Sequence, residues 1–175
     1  AKALTALSVD DANEVAIVAA GAIEPLIQLL QTGTDGGKEE AAGALADLSF
    51  YDDNDVASVE AGAVEPLVQL LQTGTDDGKG HAALALCNLA HDNDDNQVEI
   101  AAVGGIESLV QLLQTGSGYG KEQVAGALAC LADNDDNQVT IIAAGGIELL
   151  VLLLHVLPLP VLLLHVLPLP VLLLH

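Results

Sequence analysis

Cys87 and His91 stand four residues apart in an apolar helical context. That spacing can bring a thiolate and an imidazole to one face of a helix, where both could reach one zinc ion. Two ligands do not close a structural zinc site, and the chain has neither a CxxC nor an HExxH pattern. Cys87 therefore reads as a small core residue and His91 as a turn residue. The run Asp92-Asn93-Asp94-Asp95-Asn96 offers hard oxygen ligands to calcium, but it lacks the central glycine and bidentate glutamate of an EF-hand loop. Gly36-Gly37-Lys38, Gly78-Lys79-Gly80 and Gly118-Tyr119-Gly120-Lys121 look like phosphate loops. However, Thr32 and Thr115 stand where a P-loop needs its first glycine, and Glu39 and Glu122 where it needs Ser or Thr. These segments read as flexible turns between helices. His81, His91 and the scattered serines form no nucleophile–base pattern. The expectation is a protein that is not an enzyme and takes no metal and no cofactor.

The remaining chemistry is charge. The 175 residues carry a formal charge of −21, with four Lys and no Arg. Such a field repels phosphate, which argues against nucleic acid and against anionic membrane surfaces, and it attracts basic protein segments. The acid also keeps a chain soluble and monomeric. Much of it falls in three turns: Asp52, Asp53 and Asp55; Asp92, Asp94 and Asp95; Asp133, Asp135 and Asp136. If the turns stack, they align into an acidic ridge that could dock a Lys/Arg-rich segment. Acid is also favoured at helix N-termini by capping and by the helix dipole, with no partner present.

The elements that must position these residues come from a repeat. Gly21, Gly62, Gly104 and Gly145 open four near-copies of one segment, and their starts lie 41, 42 and 41 residues apart. A fixed period near forty marks stacked units that bury their apolar faces only against one another. With one Phe, two Tyr, no Trp and no Met, the core must be Leu, Ile, Val and Ala, which suits closely packed helices. Residues 54–90 show one unit. Asn54 is placed to cap a first helix that runs to about Ala61, where Gly62 stops it. A second helix starts near Pro66 and buries Leu67, Leu70 and Leu71. Residues 73–78 read as a loop, and a third helix spans roughly Gly80 to Ala90. None of these helices is long enough to stand alone in water, so stacking must hold them.

This order resembles the armadillo repeat. The resemblance is carried by Ala20-Gly21-Ala22-Ile23-Glu24-Pro25-Leu26 with Gln28-Leu29-Leu30 and their copies. The third-helix ends at 44–48, 85–89 and 127–131 fit as well. It covers residues 1–154: a partial unit at 1–8, repeats at about 13–49, 54–90 and 96–132, and a partial unit at 137–154. Residues 1–8 look like the tail of a preceding third helix, and the chain, opening without Met, reads as a fragment. The resemblance implies an all-α fold, a right-handed solenoid whose third helices line a concave groove for an extended partner. Glu40, Asp47, His81, Leu84, Asn88, Gln123 and Cys130 are the residues it places in that groove. The Asn ladder that holds a partner's backbone in importin-alpha is represented by Asp47, Asn88 and Cys130, and the companion Trp positions by Gly43, Leu84 and Gly126. The implied function is thus protein or peptide binding in general, rather than importin-type cargo binding. The expected setting is the cytoplasm, with the nucleus possible, and Cys87 and Cys130 are expected to be two reduced core thiols there.

From Val151 the chain repeats Val-Leu-Leu-Leu-His-Val-Leu-Pro-Leu-Pro, and residues 155–175 form an apolar Leu/Pro/His tail. Three readings are open. The preferred one is a low-complexity expansion or gene-model artefact without an evolved role. The second is an apolar cap over the truncated last repeat. The third makes the protein a membrane-associated adaptor, against which Pro158, Pro160, Pro168 and Pro170 weigh, because each pair breaks a helix. A monomer is expected unless the tail self-associates.

Overall fold

The computed structural model describes residues 1–7, 11–50 and 52–156, and all of the regular structure there is helical. Helix α1 (Lys2–Leu7) precedes three triplets. These are α2 (Asp11–Ala19), α3 (Ile23–Thr32) and α4 (Asp35–Leu48); then α5 (Asp52–Glu60), α6 (Val64–Thr73) and α7 (Asp76–Ala90). The third triplet is α8 (Asp94–Ala102), α9 (Gly105–Thr115) and α10 (Gly118–Leu131). A last pair follows, α11 (Asp135–Ala143) and α12 (Gly146–Val156). Residues 157–175, which hold most of the apolar tail, lie outside the described residues. Among the described residues no single helix is long and apolar enough to cross a membrane.

Each first helix ends in a glycine-dependent corner. Gly62 adopts φ +82°, and its N–H donates to Val59 O at 2.8 Å while that of Ala63 donates to Ser58 O at 3.0 Å. This paired closure caps the helix and turns the chain sharply. The same left-handed glycine recurs at Gly21, Gly104 and Gly145. The axes on either side of the corner differ by 74° between residues 13–19 and 23–32, and by 80° between residues 135–143 and 146–153.

The first helices are tied to the preceding repeat by a ladder of amides. Asn13, Asn54, Asn96 and Asn137 donate from Nδ2 to the carbonyls of Leu7, Leu48, Leu89 and Leu131, at 3.1, 2.8, 2.7 and 3.1 Å. Asn54 is therefore not an N-cap, as its spacing suggested. It sits inside the first turn of α5, buried, and satisfies a carbonyl at the end of α4. Capping falls to residues three earlier in later copies. Asn93 Oδ1 accepts from the Asn96 N–H at 3.1 Å, and Asn134 Oδ1 from those of Asp136 and Asn137.

The third helices begin earlier than the glycines implied. The segments read as loops form their first turns, because Thr34, Thr75 and Ser117 accept from the N–H groups of Gly37, Gly78 and Gly120. A hydroxyl cap contributes about 1 kcal/mol, comparable to the cost of one glycine in a helix. Packing supplies the rest. Helices α1, α4, α7 and α10 lie successively side by side, as do α3, α6, α9 and α12. Equivalent residues occupy equivalent places: Leu48, Leu89 and Leu131 are all fully buried, as are Leu45, Leu86 and Leu128.

Candidate binding surface

The face made by α4, α7 and α10 owes its shape to small residues where the helices approach. A Cβ on Gly43 would lie 3.3 Å from His81 Nδ1, and one on Gly80 would run into the Tyr119 ring. The missing side chains let His81 and Tyr119 meet edge to face, with centroids 5.9 Å apart and planes at 79°. Around them lies a depression of about 140 Å³, lined by Glu40, Gly43, Ala46 and Asp47 of α4, His81 and Leu84 of α7, and Tyr119 of α10. Four of the residues expected in a groove, Glu40, Asp47, His81 and Leu84, are thus gathered at one place.

The local field is acidic. Tyr119 titrates above the ordinary phenol range, first because it is partly buried, then because Asp77, Asp47 and Glu122 oppose a second negative charge. The phenol stays a neutral donor beside carboxylates. His81 Nδ1 is buried against Gly43 without a hydrogen-bond partner. Carboxylates beside an aromatic edge and face are the chemistry that receives a cationic side chain.

The other expected groove residues lie elsewhere on the same three helices. Asn88 does not line the depression. Its Nδ2 donates to Ala46 O of the preceding third helix at 2.8 Å, so one of its donors serves the stack. Gln123 is half-buried on α10, also off the depression. Cys130 meets Cys87, with the sulfurs 2.7 Å apart; both cysteines are free and half-buried against the core. Tyr119 was not among the expected site residues, because the segment holding it read as a loop. Its signal is Ser117 two residues earlier, a capping type in register with Thr34 and Thr75.

Along the acidic edge, Asp92, Asp94, Asp95, Asp133, Asp135 and Asp136 are exposed. Asp94, Asp95, Asp135 and Asp136 occupy the first turns of α8 and α11. Asp55 is different: it is only 4 % exposed and does not belong to that edge. It follows Asn54 as Gln97 follows Asn96, and Gln97 also turns inward, donating from Nε2 to Ala90 O at 2.9 Å. The side chains of Asp52 and Asp53 lie outside the described residues.

The Armadillo/beta-catenin-like repeat family matches residues 10–50 and 52–91. These are armadillo repeats. The helical array superposes on solved solenoids along most of its length. An engineered protein from a structural genomics consortium is 36 % identical, with a TM-score of 0.82 over 87 % of this chain and 63 % of that one. A designed armadillo repeat protein is 27 % identical, with a TM-score of 0.81 over 87 % of this chain and 66 % of the other. A second designed armadillo repeat protein, solved in complex with the peptide (KR)4, is 28 % identical, with a TM-score of 0.79 over 88 % and 64 %. The chain spans less than two thirds of each of these three proteins. No curated protein sequence matches it.

Proposed function

We propose that the armadillo array is a protein-binding scaffold whose concave face receives an extended segment carrying Lys or Arg side chains. The observation that carries this reading is the depression where Glu40 and Asp47 lie beside the His81–Tyr119 pair. An ammonium or guanidinium group seated there gains charge-assisted hydrogen bonds and the face of an aromatic ring. The overall charge of −21 steers such a segment toward the protein, and the exposed aspartates of α8 and α11 add to that field. The designed relative solved with (KR)4 supports the ligand class, since it has the same solenoid architecture. The test is a fluorescence titration with a labelled (Lys-Arg)4 peptide at about 0.05 M and about 0.5 M salt, which spans strong and weak screening. Saturable binding that weakens with salt is expected. Absence of binding at low salt rejects the reading.

A further inference from the structure

Cys87 and Cys130 are the only cysteines in the chain, and they face each other across adjacent third helices with Sγ···Sγ 2.7 Å. The contact follows from register. Asn88 and Cys130 hold the same position in successive third helices, and each reaches back to the residue one place earlier in the helix before it. For Asn88 that residue is Ala46; for Cys130 it is Cys87. We propose that Cys87 and Cys130 form an oxidisable dithiol, which a small neutral hydroperoxide converts to a disulfide joining α7 to α10.

The geometry favours closure within one chain. The sulfurs need approach by less than about 1 Å to reach the bonded distance of roughly 2.05 Å. Both residues are half-buried, so a small molecule can reach them. Among the described residues no group of three metal-ligating side chains competes for the thiols. The proton is unequally held. The bond between the sulfurs lowers the Cys130 thiol, against opposing effects of burial, Asp133 and Asp92. The same bond, with burial, pushes Cys87 far up. The geometry lets either sulfur donate; with the proton held on Cys87, Cys130 is the nucleophile.

In the first step the Cys130 thiolate attacks the outer oxygen of ROOH, the O–O bond breaks, and the departing alkoxide takes a proton from solvent as ROH. Cys130 is left as a sulfenic acid. Cys87 Sγ then attacks Cys130 Sγ and expels hydroxide, which takes the Cys87 proton and leaves as water. Two electrons pass from the two sulfurs to the peroxide, giving one disulfide, one ROH and one water. Oxidised glutathione carries net negative charge, and Asp92 and Asp133 beside Cys130 repel it, so a neutral oxidant is preferred.

The experiment treats the full chain with equimolar tert-butyl hydroperoxide and follows free thiols, intact mass and peptide linkage. Expected is loss of both titratable thiols, a fall in mass of two hydrogens, a Cys87–Cys130 linked peptide in the monomer, and reversal by dithiothreitol. The reaction should be at least about tenfold faster than with oxidised glutathione. In the presence of dimedone, Cys87→Ser should be labelled at Cys130, and Cys130→Ser should stay unlabelled at Cys87. Thiols that remain titratable in the native wild-type chain, linkage only between chains, or faster oxidation by glutathione disulfide would overturn the proposal. So would labelling of Cys87 in Cys130→Ser without labelling of Cys130 in Cys87→Ser.

Discussion

Replacing Asn96 with Ala tests what joins one repeat to the next. The side chain is 5 % exposed, and its Nδ2 donates to Leu89 O in the last turn of α7 at 2.7 Å. Alanine removes the donor and leaves that carbonyl in a protein interior with no room for bulk water. An orphaned buried acceptor costs about 1–3 kcal/mol, so we expect a loss near 2 kcal/mol. For an array of this length that corresponds to a fall in Tm of roughly 4–8 °C. Urea unfolding followed by circular dichroism measures it. Two further variants separate the causes. Asn93→Ala removes only the cap on α8, whose carbonyl oxygen on the side chain accepts from the Asn96 N–H, and should cost about 1 kcal/mol. Asn96→Asp keeps the shape but sets a carboxylate against the Leu89 carbonyl, and should be at least as destabilising as alanine. An Asn96→Ala chain within about 0.5 kcal/mol of wild type, or an Asn96→Asp chain as stable as wild type, would refute the role of the amide ladder.

Leu70→Ala and Leu112→Ala each truncate a buried side chain of a second helix and should cost about 2–5 kcal/mol in the same assay. If the Cys87–Cys130 disulfide forms, it closes a loop of 43 residues and should stabilise the chain by about 4 kcal/mol on the chain-entropy account, a rise in Tm near 10 °C by calorimetry. The phenol of Tyr119 is raised above its ordinary value of 10.0 in the folded chain. Its contribution to stability is therefore complete below pH 10.0 and is lost as pH rises above that value toward the folded titration point. Tyr119→Phe should remove this alkaline loss, and comparison of the two chains' unfolding across that range checks it.

The parts of the fold that were readable came from patterns with one physical cause. The glycines at 21, 62, 104 and 145 stop first helices because only a left-handed residue closes those corners, and each does so. Leu67, Leu70 and Leu71 of α6 and Leu86 and Leu89 of α7 recur at helical spacing and are buried as that spacing implies. Misreadings arose where two causes compete. The third helices begin with glycines that argue for loops, but Thr34, Thr75 and Ser117 cap them and the neighbouring third helix requires the bare backbone at Gly80. Asn54 has a capping side chain, yet its amide serves the preceding helix. Asp55 was counted with the acidic turn because composition is local, whereas its burial depends on the same inward register as Gln97. Four of the seven expected groove residues gather around one depression, but Tyr119 and the Cys87–Cys130 contact depend on a lateral offset of one residue between helices. A repeat period alone does not contain that offset.

The central claim, an acidic concave face that takes a basic segment, is most directly tested by calorimetric titration of (Lys-Arg)4 into wild type and into the double variant Glu40→Gln/Asp47→Asn. Saturable binding to wild type, weakened at least about tenfold in a double variant of unchanged Tm, is the predicted result. Equal affinity for both chains would place the binding of basic segments elsewhere and contradict the account.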